Sequence, residues 1–413
     1  MMDMDPENRA ASLSFRQLKL FESVGRLNSV RRASEECNLS QPAVTQALAK
    51  LEQQIGVMLL ERRASGSYLN ELGQIFHRRT TRLFDQIEQA LITLGVPGAP
   101  AGVAMVAKRI SRSQARSLVA IVESGSFAQA AQSLDLSQAS LQRAARDLEG
   151  NLRKSIFYRT AAGVVVTPAG VEFGRKVKLA TQEIEWGIQE IEAARGNFNR
   201  QIAIGAMPFG GSVLLASVLD EFVKANPKVD VRIVNESAPE MLKRLRAGQV
   251  DFVIGLVQET TGDDLTNEAL AKTPYAVVAR AGHKLLRQAS VTLEDLLNYE
   301  WVVGTPGASR RACFERLFAK GPGPKASIAT CSLPVIRHLL ARSDRLTLMT
   351  SYELTHENGA LAPLAFGPIE PVPAIGVTMR SEWLPTQLHI EFIDLLRQHM
   401  IEATVRPMLK KAS

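Results

Sequence analysis

The chain has 413 residues, 46% of them hydrophobic and 22% charged, the profile of an ordinary soluble globular protein with length enough for two to four domains. Its net charge of +7 admits a polyanionic partner such as nucleic acid but does not by itself separate a DNA-binding protein from a basic enzyme. No stretch approaches the roughly 18 apolar residues that a membrane span requires.

The first residues, Met1 to Ala10, are acidic and polar rather than basic and then apolar, so no export signal is expected and the protein is assigned to the cytoplasm, in association with the nucleoid. Cys37, Cys313 and Cys331 are far apart and form no CxxC or Cys/His ligand spacing. No zinc site, metal or cofactor is expected, and Cys37 reads as a core residue of a helix.

Along the chain, residues 15–76 recur as 112–173 after a shift of 97 without a gap, with Ser29/Ser126, Ala33/Ala130, Ser40/Ser137, Gln41/Gln138, Glu52/Glu149, Gly66/Gly163, Gly73/Gly170 and Phe76/Phe173 among the matches. A single duplication means a tandem domain, because solenoids need at least three units. In the first copy three apolar stripes at helical spacing predict three helices: Leu18, Phe21, Val24; Val30, Ala33, Ser34, Cys37; and Val44, Leu48, Leu51, Ile55. The third starts on Ser40 with Pro42 close behind, and its counterpart starts on Ser137. The second and third helices are joined by only about two residues, Asn38-Leu39 or Asp135-Leu136, which is helix-turn-helix geometry. Short runs around Gly66 and Gly163 predict a small β-wing. A long helix with one apolar seam follows each wing and has to bury that seam, most plausibly on a second copy of itself. The Gly- and Pro-rich segment 95–107 reads as a linker that reaches roughly 45 Å if fully extended.

The run Gly125-Ser126-Phe127, Ala130-Ala131, Leu136-Ser137-Gln138-Ala139-Ser140-Leu141, Leu148-Glu149, Phe157-Tyr158-Arg159 and Thr167-Pro168-Ala169-Gly170 resembles the winged helix-turn-helix of LysR-type transcriptional regulators. The first copy has the same pattern in Leu39-Ser40-Gln41-Pro42-Ala43-Val44, Leu51-Glu52, Gly56 and Leu59-Leu60-Glu61-Arg62. It departs from the family at Asn70-Glu71, and the second copy departs at Arg153, which stands where Gly56 would recur. Residues 108–413 resemble one full-length member, with 12–97 as an added copy.

The resemblance implies two tandem all-α winged helix-turn-helix units, each followed by a long linker helix, and an α/β two-lobed effector domain like a periplasmic binding protein. The expected bounds are 12–94, linker 95–107, 108–197 and 198–407. It further implies a regulator that binds double-stranded operator DNA. The third helix enters the major groove, where Gln pairs with adenine and Arg with guanine. The candidate DNA contacts are Ser40, Gln41, Ala43, Thr45, Gln46, Ser137, Gln138, Ser140, Gln142 and Arg143, with Arg62, Arg63 and Arg159 on phosphates or a narrow minor groove.

After Asn199, short apolar runs at 202–206, 229–234, 252–257 and 275–279 alternate with helical stretches at 211–225 and 239–247. Further strands are expected at 300–303, 327–329, 346–349 and 375–379, with helices at 308–320, 333–342 and 385–400. Three helix starts are candidates for an effector site: Phe209-Gly210-Gly211-Ser212, Thr305 with Ser309, and Ser332. The segment 202–215 is similar to sugar-responsive members, so a sugar, a sugar acid or an aromatic acid is the expected effector. No GxSxG, HExxH or P-loop signature occurs, and the six histidines form no ligand cluster, so an enzyme is not expected.

RNA polymerase and further copies of the chain complete the expected partners. In the family pattern the long helices pair subunits into dimers and tetramers. In the alternative, the two copies pair their long helices inside one chain. The sequence favours neither.

Overall fold

The computed structural model describes residues 6–63, 66–160, 163–196, 200–207, 212–257, 262–355, 357 and 359–411. The chain divides into two compact units, Met1–Asn199 and Arg200–Ser413.

The first unit contains α1 (Pro6–Ser12), α2 (Phe15–Leu27), α3 (Val30–Glu36), α4 (Gln41–Ile55), a wing of β1 (Leu60–Arg63) and β2 (Gly66–Leu69), and α5 (Glu71–Leu94). The set then recurs as α6 (Pro100–Arg109), α7 (Arg112–Ser124), α8 (Phe127–Ser133), α9 (Gln138–Leu152), β3 (Phe157–Thr160), β4 (Gly163–Val166) and α10 (Pro168–Ala194). From α2 to β2 every boundary returns 97 residues later, because the same end signals return. Ser14 and Ser111 form capping boxes with Gln17 and Gln114. Ser29, Ser40 and Asn70 cap α3, α4 and α5, as Ser126, Ser137 and Thr167 cap α8, α9 and α10. The turn inside each helix-turn-helix bends at Asn38 (φ 53°) and Asp135 (φ 55°), residue types that tolerate the left-handed region.

The wing is tied to its helices the same way twice. The Glu52 carboxylate accepts from the Leu59 and Leu60 amides at 2.8 and 3.1 Å, and Glu149 accepts from Ile156 and Phe157 at 2.8 and 3.0 Å. A Cβ on Gly73 would lie 2.0 Å from the Leu59 carbonyl oxygen, and one on Gly170 would lie 2.6 Å from that of Ile156. Both glycines therefore permit a close approach of wing to long helix. Arg153 ends α9 in the left-handed conformation (φ 50°) that Gly56 supplies after α4 (φ 85°), so this departure keeps the turn at a steric cost.

The segment 95–107 is not an extended linker. Most of it is α6, and α6 is the counterpart of α1: Ala107 and Ile110 are buried as Ala10 and Leu13 are, 97 residues earlier. The two helices pack crosswise. α1 lies on α4 of its own copy and on α10 of the other, and α6 lies on α9 and on α5. One hydrophobic core runs through both copies. Of the two arrangements open at the sequence level, the structure has α5 and α10 paired within the chain. Leu83, Ile87, Leu91, Val177, Ile184 and Ile188 fill their seam, and burying each Leu or Ile contributes about 1.5–3 kcal/mol.

Lys19 of α2 sits near this junction, its ammonium 5.3 Å from the Phe84 ring of α5. Burial, reinforced by the charge of Lys108, lowers its pKa from 10.5 to about 8, against the pull of Glu22 and Glu88. The folded value lies below the unfolded one. The resulting penalty is therefore fully present below pH 8 and is relieved as pH rises from 8 to 10.5. Lys19→Met is expected to raise the thermal midpoint at pH 7, with the gain shrinking toward pH 10. Melting curves of both proteins across that range check this, and a gain independent of pH would contradict it.

The second unit opens with β5 (Arg200–Ala206), α11 (Ser212–Ala225), β6 (Val229–Asn235), α12 (Ala238–Arg246), β7 (Phe252–Leu256) and β8 (Leu265–Lys272). A second lobe follows: β9 (Tyr275–Arg280), α13 (Leu293–Leu297), β10 (Val302–Val303), α14 (Ser309–Leu317), β11 (Ile328–Ala329), α15 (Leu333–Ala341), β12 (Thr347–Thr350), α16 (Ser351–Thr355) and β13 (Leu361–Pro363). The chain returns through β14 (Ala374–Arg380) and ends in α17 (Gln387–Lys411), longer than the expected 385–400. The first lobe is a five-stranded sheet in the order β6-β5-β7-β14-β8, with β5 parallel to β6 and β7 and with β14 antiparallel to β7 and β8. The second lobe carries β12-β9-β13 and β10-β11. Among the described residues no helix is long and apolar enough to cross a membrane.

Candidate functional site

In the first copy, α4 buries Val44, Leu48, Leu51 and Ile55 and turns its other face outward. Gln41, Gln46, Ala49 and Lys50 are exposed, and Ala43 and Thr45 are half-buried. The Ser40 hydroxyl is engaged as a cap, accepting from the Ala43 amide at 3.4 Å. On the wing, Arg63 reaches Glu61 at 2.9 Å and lies 5.5 Å from the Tyr68 ring centre.

In the second copy, α9 buries Leu141, Ala145, Leu148 and Leu152 and exposes Gln138, Ser140, Arg143 and Arg146, with Gln142 half-buried. Ser137 is again a cap, accepting from the Ser140 amide at 3.1 Å. Arg62 and Arg159 stand on β1 and β3, and their side chains lie outside the described residues. A groove of about 560 Å³ runs between α9 and the second wing, lined by Gln142, Arg146, Tyr158 and Thr160. Arg146 and Tyr158 were not among the sequence candidates. The available signal was their position: Arg146 lies one turn beyond Gln142 on the same outward stripe, where the first copy has Ala49.

The second unit places its candidate site where an open α/β sheet ordinarily binds ligands, beyond the carboxyl ends of its parallel strands. A cleft of about 320 Å³ lies between the two lobes, a volume suited to a small molecule. Met207 after β5, Asn235 at the end of β6 and Leu256 at the end of β7 line one side; Tyr275, Thr305, Ser309 and Arg310 line the other. Thr305 and Ser309 thus line the same cleft, while Ser332 is only a neighbour of the lining residue Cys331. Neither serine acts as a plain cap: Ala308 and Ser332 precede α14 and α15 without a capping side-chain bond. The Ser309 hydroxyl accepts from the Tyr275 hydroxyl at 3.2 Å, and the Thr305 hydroxyl lies 3.4 Å from the Cys331 sulfur. Phe209, Gly210 and Gly211 lie outside the described residues. Ser212 opens α11, with its side chain also outside them.

Sequence reasoning passed over Arg310. It is 7% exposed and donates from Nη2 to the Glu353 carboxylate at 2.5 Å, and among the described residues its buried Nε and Nη1 have no acceptor. Burial pushes the Glu353 pKa up, and the charge of Arg310 works against that rise. Glu353 also accepts from the Thr350 amide at 2.7 Å, which fixes the carboxylate and hence the guanidinium.

A family model described as a bacterial regulatory helix-turn-helix protein of the lysR family matches residues 15–74 and again 113–171, and the LysR substrate binding domain matches residues 195–401. The chain belongs to the LysR family of transcriptional regulators. It is 30% identical over 392 residues to the HTH-type transcriptional regulator GalR of Pseudomonas putida, a match covering 94% of this chain and 97% of that protein and therefore including both copies. It is 26% identical over 209 residues to the regulator GbpR of Rhizobium radiobacter, covering 50% of this chain and 69% of that one. A full-length OxyR structure from Pseudomonas aeruginosa shares the fold, at 20% identity and a TM-score of 0.50, over 70% of this chain and 93% of that chain. As a LysR-family member, this chain is a DNA-binding transcriptional regulator whose substrate-binding domain makes it ligand-responsive, and its relatives are regulators rather than enzymes.

Proposed function

We propose that the regulator senses a small organic acid and that Arg310 receives its carboxylate. The observation that carries this is a buried guanidinium lining the cleft whose Nε and Nη1 have no acceptor among the described residues. Unmet buried donors are costly, and a bound carboxylate supplies the acceptors. Ser309 and Thr305 add hydroxyls beside it, and Met207, Leu256 and Tyr275 offer apolar surface to the body of the ligand. This supports a sugar acid or an aromatic acid over a neutral sugar.

The effector biases the closure of the lobes and through it the DNA-bound state. Gln41, Ala43, Thr45 and Gln46 read one sequence, and Gln138, Ser140, Gln142 and Arg143 read another. Arg62, Arg63 and Arg159 hold the backbone. Ser40 and Ser137 set the helix N-termini that face phosphate. A protein acting on chromosomal promoters works in the cytoplasm at the nucleoid, with RNA polymerase as its further partner.

Thermal shifts of the full chain with benzoate, gluconate and their neutral counterparts benzamide and glucose test the effector class. Stabilisation by an acid and by neither neutral compound is expected; stabilisation by glucose or benzamide alone sinks the carboxylate reading.

A further inference from the structure

The pairing of α5 with α10 follows a dyad. Gln86 and Glu183, equivalent by the 97-residue repeat, touch each other, with Gln86 Nε2 donating to Glu183 Oε1 at 2.9 Å. On either side the contacts also correspond: Arg79 meets Glu190 at 2.6 Å, and their repeat equivalents Lys176 and Thr93 meet at 2.9 Å. The two helix-turn-helix units are therefore related by an internal two-fold, the relation that places two recognition helices on oppositely oriented half-sites of a duplex.

The charges at the seam select unlike partners. In a pair of two α5 helices with this register, Arg79 would face Thr93, and its buried guanidinium would lose both carboxylates that now hold it, Glu183 and Glu190. In a pair of two α10 helices, Glu183 would face Glu183, a like-charge contact at a position now 1% exposed. Only α5 with α10 sets Arg79 and Arg82 against Glu183. Gly187 fits the same partner, since a Cβ there would meet the Phe76 ring at 3.0 Å and the Arg79 side chain at 3.1 Å. The outward faces of the two recognition helices differ as well: Ala43, Thr45, Gln46 and Ala49 in one become Ser140, Gln142, Arg143 and Arg146 in the other.

We infer that a single chain is a complete two-headed DNA reader, and that its operator consists of two half-sites in inverted orientation with unlike sequences, one for each copy. The inference rests on DNA contact by both copies and adds that one chain supplies both.

Two experiments on the full chain test it. Thr93→Cys with Lys176→Cys creates a pair across the helix seam. On treatment with a bis-maleimide long enough to replace the lost lysine side chain, alone or mixed with a larger tagged version, the cross-link is expected within one chain, at monomer mass on a denaturing gel. A covalent dimer that the parent chain with its native cysteines does not give, or no cross-link across this contact, overturns the intrachain pairing whether or not the protein binds DNA. Selection from a random duplex pool is expected to return two dissimilar inverted half-sites protected by one chain. Two identical half-sites, or two chains on one pair of half-sites, overturns the single-chain reader, and no bound sequence overturns DNA contact itself. A chain carrying Ser140→Ala, Gln142→Thr, Arg143→Gln and Arg146→Ala should select two like half-sites. Its affinity for the original operator should fall about ten- to hundredfold, as expected for losing a bidentate base contact.

Discussion

Arg79→Met is expected to destabilise the N-terminal unit by about 3–5 kcal/mol, the cost of breaking a buried ion pair from one side. Arg79 is fully buried and answers two carboxylates: Nη1 donates to Glu183 at 2.8 Å, and Nη2 and Nε donate to Glu190 at 2.6 and 3.1 Å. Burial alone would lower the Arg79 pKa, yet hydrogen bonding and charge from Glu190 and then Glu183 hold it above the ordinary guanidinium value. Removing the guanidinium leaves Glu183, which remains enclosed, with Arg82 at 3.0 Å and Gln86 at 2.9 Å, and Glu190 with Arg78 at 3.5 Å. Calorimetry of the full chain should show the lowest transition moved down by several degrees, with DNA binding lost above it. Adding Glu183→Gln and Glu190→Gln to the variant should recover most of the loss, because the seam no longer buries carboxylates that have lost their shared guanidinium. An unshifted transition in the single variant would mean that the network does not hold the two heads together.

The parts of this architecture that were legible in the sequence are those fixed by local chemistry. Ser40 and its counterpart Ser137 mark a helix start, Asn38 and Asp135 mark the turn, and the 97-residue repeat carries the pattern into the second copy. Where the reading stopped, long-range packing decided. Gly95 and Pro97 look like a linker, but α6 is fixed by Ala107 and Ile110 entering a shared core; comparison with Ala10 and Leu13 would have extended the repeat backward to it. The strand β8 went unseen because Leu265–Lys272 lies at the edge of its sheet, where only its first residue is buried and the run reads as polar. In the cleft, the alternation of strands and helices led to Thr305 and Ser309. Arg310 escaped because an arginine beside a helix start reads as solvated until the fold places Glu353, 43 residues later, against it.

Arg310→Met is expected to weaken the effector response strongly while leaving operator binding intact. A hydrogen bond to a charged group contributes about 1.5–3 kcal/mol, so the effector affinity of the full chain should fall about ten- to 150-fold. Arg310→Lys should recover only part of it, since an ammonium keeps the charge but cannot present the planar fork. A purely structural arginine would give a different pattern, with equal losses of stability and operator binding and no selective loss of the ligand shift.

The pH dependence provides an independent check. Glu353 is 1% exposed, and burial already raises its pKa above the ordinary 4.5 with Arg310 opposing that rise. Without Arg310 the rise is larger. A carboxyl whose folded pKa lies above its unfolded value binds more protons when folded, so the stability it contributes is present at low pH and is lost as pH climbs through the folded pKa. The variant should therefore lie nearest to wild type at about pH 5 and fall progressively below it toward neutrality. Denaturant titrations of both proteins at several pH values measure that gap. A gap that stays constant with pH would show that Glu353 does not depend on Arg310 for its charge.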